Sequence, residues 1–448
     1  MRRYGLLFFS FVALSTVTNA RILDLSGFRD QDQQQLSNGD DSVIPTSDLA
    51  RPEPIFPHAP GRRPAGFIAL GDSYSAGIGT GFNGTEDPCR LGLHAHPVLM
   101  HQDLLELVAP NTAGLQFLSC TGSTVKDMLV GSKRSQIDEL NTTTTADFAL
   151  LSVGGNDLGF FDIMNGCIFR FYSFYSGTCE EALKKSEAAI AGPSFEAALR
   201  LAITEILDRV HWEKKPWFTI TITGYARFFN AETKPCDDRS FGIWWHGPKL
   251  ERRLRQRMNN MVLAVNEKIK RSIENINSEY ATPKAFFVDY DALFEGHRFC
   301  EKGVDEPDYK RNETWFFLVG GRDNADGGDD NVRLRALERP IPPDSPLRDP
   351  DTCMEAAMES GDWGERAVCY MAMAAKRDPT MRLASGEEVS TQDMWYVPTY
   401  YGQTFHPVSY FPLSGRTYTR IRSGMLTCVG AENQGSGGNQ GPDISILA

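Results

Sequence analysis

Five short apolar segments recur along the sequence, separated by stretches with helical spacing. They are too continuously apolar for strands with one solvent face, which favours a parallel sheet covered on both faces. The pattern predicts an α/β fold, a three-layer αβα sandwich around a five-stranded parallel sheet of flavodoxin-like order. The predicted strands are Phe67–Leu70, Leu115–Ser119, Phe148–Val153, Trp217–Thr223 and Ala285–Asp289. The predicted helices lie near Val98–Val108, Thr124–Leu140, Phe195–Val210 and Leu250–Ile276.

The first three strands each end in a turn that contains glycine and polar residues. Gly71-Asp72-Ser73 follows the first strand, Thr121-Gly122 the second and Gly154-Gly155-Asn156-Asp157 the third. The carboxyl ends of parallel strands meet at one edge of a sheet, where open α/β folds bind their ligands. Ser73 therefore stands where a nucleophilic hydroxyl would be exposed near backbone N–H donors.

A histidine near the C-terminus completes a four-block pattern. His406 lies in Thr404-Phe405-His406-Pro407. The blocks Ser, Gly, Asn and His, in this order, resemble those of the SGNH (GDSL-type) hydrolases. The resemblance covers about Phe67 to Arg422 and is closest to the secreted esterase and lipase branch. It implies a serine hydrolase of carboxylic esters, which needs no cofactor.

The resemblance also implies a role for each block. Ser73 is the nucleophile, and His406 takes its proton and returns it to the leaving alcohol. The oxyanion hole consists of the N–H groups of Ser73 and Gly122 and the side-chain amide of Asn156. Taken alone, each residue has a simpler interpretation, since Gly and Asn are common in turns. We expect Asp157 to hold its turn together and to do no chemistry.

One position departs from the family pattern. Many SGNH hydrolases carry an aspartate three residues before the histidine, and here that position is Gln403. The resemblance to the branch with a Ser–His dyad implies that the main-chain carbonyl of Gln403 accepts from Nδ1–H of His406. The side-chain oxygen of Gln403 and a distant Asp or Glu are the alternatives.

The other histidines have weaker contexts. His297 follows the fifth strand, and we predict that it lines the substrate site or packs its loop. His94, His96 and His101 cluster around a helix, but no carboxylate or cysteine set completes a metal site. The acidic run from 322 to 330 lacks the ligand spacing of an EF-hand and favours a solvated loop over a calcium site. We therefore predict no metal.

Composition divides the chain into segments. Residues 1–20, with Arg2-Arg3 before a short apolar core, predict a signal peptide and hence a secreted, extracellular protein. Residues 21–65 predict a disordered leader, and 429–448 a disordered tail. The hydrolase domain spans 66–428, with an insertion at about 320–400 whose short helices we interpret as a lid or substrate-binding flap. No segment after the signal reaches membrane-spanning length.

Nine cysteines in an exported chain predict disulfides. The family resemblance suggests the pairs Cys89–Cys120 and Cys167–Cys179. Cys236–Cys300 would tie two loops that follow successive strands, and Cys353–Cys369 would close a local loop in the insertion. Cys428 is then a free thiol or a sign of mispairing. Glycosylation sequons begin at Asn83, Asn141 and Asn312.

Charge and aromatic content limit the partners. The net charge of −12 and the pI of about 5.3 disfavour nucleic acid and anionic membranes. We expect a monomer that takes an ester substrate. An acyl chain would suit the aromatic residues Phe160, Phe161, Trp244, Trp245, Trp315 and Phe316. Lipid esters are the favoured substrates. A polysaccharide acetyl esterase and a non-catalytic binding protein on the same scaffold are the alternatives.

Overall fold

The protein folds around five parallel strands in the order β2-β1-β3-β4-β5. The structure is a computed structural model that describes residues 65–82, 86–107, 114–172, 177–309, 313–321, 341–380 and 397–408. The strands are β1 (Gly66–Gly71), β2 (Gly114–Phe117), β3 (Phe148–Ser152), β4 (Thr219–Thr223) and β5 (Ala285–Val288). This confirms the predicted α/β fold and the flavodoxin-like order.

The two central strands show why their sequences are continuously apolar. Every residue of β1 and of β3 is buried, although successive side chains point to opposite faces of a sheet. Both faces are therefore covered. In register, Phe67 pairs with Phe148, and their rings stack at 5.0 Å.

Ten α-helices connect and cover these strands within the described residues. The first five are α1 (Ser73–Ala76), α2 (His96–Leu107), α3 (Val125–Met128), α4 (Phe160–Ile163) and α5 (Cys179–Ala191). The others are α6 (Ser194–Arg209), α7 (Arg252–Asn277), α8 (Cys353–Ser360), α9 (Trp363–Arg377) and α10 (Pro398–Gly402). A π-helical turn, Met164–Phe169, continues α4. None of the described helices is both long and apolar enough to cross a bilayer.

The helix predicted at Thr124–Leu140 is wrong beyond its first turn. Thr124 and Asp127 form a capping box that starts α3, but the helix ends at Met128. Gly131 then takes a positive φ of 77°, and the hydroxyl of Ser135 bonds the carbonyl of Met128. Side-chain hydroxyls that bond nearby carbonyls compete with helical hydrogen bonds, which explains the irregular turns up to Leu140.

Several sequence predictions lie outside the described residues. These are the signal peptide, almost all of the leader, the acidic run 322–330, Cys428 and the tail. The sequon at Asn83 and the asparagine of the sequon at Asn312 also fall there.

Candidate active site

The turn after β1 presents Ser73 because Gly71 lets two backbones come together. Gly71 has a φ of +131°, and a Cβ there would lie 2.1 Å from the carbonyl oxygen of Ser152. Asp72 N–H donates to the same carbonyl at 2.8 Å. The Asp72 side chain then accepts from the N–H of Tyr74 and caps α1. Ser73 is thereby held at the first position of a short helix.

A glutamine distant in sequence fixes the same turn. Gln136 accepts from the N–H of Gly71 and donates to its carbonyl, both at 2.8 Å. Its amide nitrogen also lies 3.1 Å from the hydroxyl of Ser123, in the loop after β2. Gln136 is 2% exposed, so these hydrogen bonds are made away from water. The sequence contained no signal for this role, because it depends on a long-range contact.

The structure brings His406 to Ser73. Nε2 of His406 lies 2.6 Å from Oγ of Ser73, and both residues are buried. Burial removes water from the imidazole and lowers the pKa of His406 to about 4. The ring is therefore neutral at pH 7 and able to accept a proton.

The structure adds a second carbonyl to the one predicted to orient His406. Nδ1 of His406 lies 3.1 Å from the carbonyl oxygen of Thr404. Interactions of the ring with the backbone carbonyls of Thr404 and Gln403 oppose the lowering of its pKa by burial. The Gln403 carbonyl also accepts from the main-chain N–H of His406 at 2.9 Å. The Gln403 side chain donates to the carbonyl of Gly321 at 2.9 Å. The tight turn thus places the carbonyls of both Gln403 and Thr404 close to the imidazole.

The residue before the histidine is strained and firmly anchored. Phe405 has a φ of +63°, a region that bulky side chains rarely adopt. Its ring is buried in a cluster of phenylalanines that offsets this strain. The rings within 6.2 Å of it are those of Phe169, Phe228, Phe229, Phe241 and Phe299.

The histidine loop is also hydrogen-bonded to a neighbouring segment. Phe405 N–H donates to the carbonyl of Phe317, and Phe317 N–H donates to that of His406, both at 2.9 Å. His297 supports this segment, because its ring stacks on Trp315 at 3.6 Å. Nδ1 of His297 lies 2.7 Å from the carbonyl of Glu313. Of the two roles predicted for His297, the geometry therefore favours loop packing.

The predicted oxyanion donors lie at the ends of three neighbouring strands. Ser73 and Asn156 line one pocket together with His406. The Asn156 amide donates to the carbonyl of Ser123 at 3.0 Å, and an amide carries a second hydrogen that can serve a substrate. Gly122 is not among the pocket-lining residues that the structure describes. Its φ of +84° turns its loop against Gly361, where a Cβ would lie 2.1 Å from the carbonyl oxygen.

A buried acid and a tyrosine connect the first and third strand ends. Tyr225 donates to Asp72 at 2.8 Å and accepts from the N–H of Gly155 at 3.0 Å. Burial raises the pKa of Asp72 to about 7. Asp157 accepts from the N–H of Val125 at 3.1 Å, which agrees with a structural role. Burial raises the pKa of Asp157 to about 6.

Two curated proteins are similar to part of the chain. Lipase 1 of Streptomyces coelicolor is 28% identical over 169 residues, which cover 38% of this chain and 55% of that protein. A lipase of Streptomyces rimosus is 27% identical over 173 residues, which cover 38% and 56%. The chain thus spans little more than half the length of these relatives.

These similarities support the resemblance to the SGNH hydrolase family. No protein-family model matches it. Among solved structures, it is similar to the extracellular lipase from Streptomyces rimosus and to phospholipase A1 from Streptomyces albidoflavus. Each is 22% identical and is covered over 98% of its length by 61% of this chain, with TM-scores of 0.41 and 0.42.

The pocket beside Ser73 and His406 is largely apolar. One wall comes from α7, through Met258, Met261, Val262 and Val265, which recur at helical spacing. The remaining apolar lining consists of Leu158, Phe160, Ile163, Ile190, Phe228 and Trp363. Of the six aromatic residues predicted near an acyl chain, Phe160 alone is among these. Trp244, Trp315 and Phe316 are core residues, and Trp245 is 62% exposed.

Trp363 is one of the pocket residues that sequence reasoning missed. It starts α9 and its ring lies 5.9 Å from that of His406. The residue before it, Asp362, caps α9 and forms a buried ion pair with Arg90. Arg90 also bonds Glu86 and Thr399, each at 2.8 Å. The described part of the predicted insertion therefore contributes a wall of the pocket, joined by buried charges to α10 and the histidine loop.

The four predicted disulfides are confirmed. Cys89–Cys120 braces the loop that leads to Gly122, and Cys236–Cys300 joins the loops after β4 and β5. Cys167–Cys179 joins the π-helical turn to α5, and Cys353–Cys369 joins α8 to α9.

The structure does not unite the clustered histidines into a metal site. His94 is exposed, whereas the ring of His101 lies edge-on to Phe67. Burial lowers the pKa of His96 to about 3. Across the described residues, no three His, Cys, Asp or Glu side chains form a group that could hold a metal ion.

Proposed function

We propose that this chain is a secreted serine hydrolase that cleaves carboxylic esters of lipids through a Ser73–His406 dyad. The observation that carries the proposal is the 2.6 Å contact between Oγ of Ser73 and Nε2 of His406 beside an apolar pocket. The curated relatives, both named lipases, support ester hydrolysis. Four disulfides agree with an oxidising, extracellular compartment.

The reaction proceeds in two halves. Oγ of Ser73 bonds to the ester carbonyl carbon while its proton passes to Nε2 of His406. The oxyanion collapses, the bond to the alcohol oxygen breaks, and His406 returns the proton to the leaving alcohol. Water then attacks the acyl-enzyme with the same help from His406, which releases a carboxylic acid and restores Ser73.

The other parts of the site stabilise charge during these steps. The N–H of Ser73 and the free amide hydrogen of Asn156 would bind the oxyanion, with Gly122 as a third donor. The Thr404 carbonyl accepts from Nδ1–H and keeps Nε2 as the proton acceptor. We assign the imidazole no carboxylate partner, because Asp362 is committed to Arg90 and to the N-terminus of α9.

The pocket lining favours lipid over glycan. Ten of its eighteen lining residues are Leu, Ile, Val, Met, Phe or Trp, which gain from burying an acyl chain. An acetyl group would leave most of this apolar lining without a ligand.

The proposal is tested with a nitrophenyl ester series from acetate to palmitate. We expect hydrolysis by the wild-type protein and at least a thousandfold loss in Ser73→Ala and in His406→Ala. A serine-directed phosphonate should label Ser73. Folded protein that neither cleaves any ester nor reacts with the phosphonate would indicate a non-catalytic binding protein. Cleavage of acetylated polysaccharide in preference to long-chain esters would indicate a carbohydrate esterase.

A further inference from the structure

A second cavity lies next to the apolar pocket, and two residues line both. The first cavity reaches from Ser73 and His406 to Ile190 on α5 and Met261 on α7. The second is bounded by α5, α6 and α7 and also includes Ile190 and Met261. Because each of the two side chains contacts both spaces, Ile190 and Met261 form the wall between them.

The two sides of this wall differ in chemistry. On the inner side, the lining of α5 and α7 consists of Ser186, Met258, Val262 and Val265. On the outer side, the second cavity is charged, with Glu187, Glu196, Arg257, Lys268, Arg271 and Glu274. An alkyl chain is stabilised on the inner side, whereas on the outer side it would displace water from ionised groups.

An ion pair holds the two helices together beside the wall. Arg257 on α7 lies 2.7 Å from Glu187 on α5 and also pairs with Glu180. Glu187 precedes Ile190 by one helical turn, and Arg257 precedes Met261 by about one turn. The Arg257 guanidinium lowers the pKa of Glu187, so the pair stays charged at neutral pH. The wall is therefore supported on its outer side and does not depend on apolar contact alone.

We propose that Ile190 and Met261 close the far end of the acyl pocket and set the longest acyl chain that this enzyme prefers. This inference rests on the proposed function, because it assigns the apolar pocket to the acyl group of the ester. Each methylene added up to the wall contributes about fourfold to kcat/KM through its burial. Methylenes beyond the wall contribute nothing or reduce the rate, because they meet the ionised groups of the second cavity.

The test compares chain-length profiles of wild-type and variant proteins on saturated nitrophenyl esters. In Ile190→Ala/Met261→Ala, the chain length of highest kcat/KM should increase by two carbons or more. In Met261→Trp, the optimum should move to shorter chains. Leu263→Ala is the matched control, since Leu263 lies on the same helix, is 41% exposed and lines neither cavity. Its profile should match the wild-type profile.

A binding measurement keeps the test independent of turnover. Saturated fatty acids of increasing length should displace a fluorescent fatty acid from Ser73→Ala. Their affinity should rise with chain length up to the length at which the wild type has its highest kcat/KM. That limit should move when the Ile190→Ala/Met261→Ala pair is added. The role of the wall would be overturned if the wild type hydrolyses esters but the double variant keeps the same preferred chain length and the same chain-length limit in fatty-acid binding. Absence of hydrolysis for every ester would instead overturn the proposed function itself.

Discussion

Tyr74 donates a 2.7 Å hydrogen bond to the main-chain carbonyl of Phe405. It joins the residue after the serine to the residue before the histidine, although 331 positions separate them in the chain. The ring of Tyr74 also packs 4.7 Å from that of His406. The distance between Ser73 and His406 is therefore set by a direct link between their neighbours.

Removing this link should affect catalysis more than substrate binding. In Tyr74→Phe, the ring packing is kept but the Phe405 carbonyl loses its donor, at a cost of about 1–3 kcal/mol of unfolding free energy. We expect kcat to fall about tenfold with KM within twofold, because the imidazole is less well positioned. Steady-state kinetics and urea denaturation measure the two effects. Tyr280→Phe is the control and should change neither constant, because the Tyr280 ring meets that of Trp212 edge-on, and neither residue lines the pocket.

Alanine substitutions at two glycines with positive φ distinguish the cost of backbone strain from the cost of a steric clash. Gly122 and Gly131 have φ values of +84° and +77°, but a Cβ would have no neighbour within 4 Å at Gly131. Gly131→Ala should therefore cost about 1 kcal/mol. Gly122→Ala should cost about 3 kcal/mol or more, because its methyl group would collide with the Gly361 carbonyl. If Gly122 donates to the oxyanion, kcat should also fall about 100-fold. Equal losses of stability in urea denaturation would contradict the close contact.

The pH dependence of activity should reflect the burial of His406. Its pKa is lowered to about 4, and the imidazole can accept the serine proton only above that value. We expect the acid limb of kcat/KM to be centred near pH 4 and not near the ordinary histidine value of about 6.5. The same shift makes the unfolding free energy decrease as the pH falls from about 6.5 to 4, because the unfolded chain binds the proton first. A limb centred near pH 6.5 in a fully folded protein would contradict this expectation.

Asp72 should produce a pH dependence of stability with the opposite sign. Its folded pKa of about 7 lies above the ordinary value of 3.8, so its contribution to stability is complete below pH 3.8 and decreases as the pH rises to about 7. Asp72→Asn removes this titration. The variant should gain stability relative to wild type between pH 4 and 8, by up to a few kcal/mol. Asp157→Asn should show a smaller gain in unfolding free energy over a narrower pH range, because the folded pKa of Asp157 is about 6. A constant difference in unfolding free energy across this range would exclude the buried proton on Asp72.

Gln403→Ala tests which group orients His406. The acceptor for Nδ1 is the main-chain carbonyl of Thr404, so loss of the Gln403 side chain should leave activity within about threefold of wild type. Stability should fall by about 1 kcal/mol, because the bond to Gly321 is lost. Thr404→Val is the companion variant, since it also keeps the carbonyl while removing a side-chain bond to Tyr401. Near-complete loss of activity in folded Gln403→Ala would assign the orienting role to its side chain.

Local spacing predicted the strands, but it did not identify the Thr404 carbonyl as a partner of His406. The five apolar segments each matched a strand, because burial on both sheet faces leaves a continuous apolar run. The carbonyl that faces His406 depends on how one turn closes. The turn brings the Thr404 carbonyl to 3.1 Å from Nδ1, an approach that no residue type in the sequence signals.

The sequence by itself determined the α/β fold and its flavodoxin-like order, because alternating buried strands and helices leave a local pattern. The family resemblance suggested disulfide pairs that the structure contains, and the four blocks predicted Ser73, Asn156 and His406. Only the tertiary structure decided which side chains surround them. Trp363, Gln136 and the wall of Ile190 and Met261 reach the site through contacts between elements far apart in the chain. In the sequence, these residues have the same apolar or polar spacing as any core or turn position.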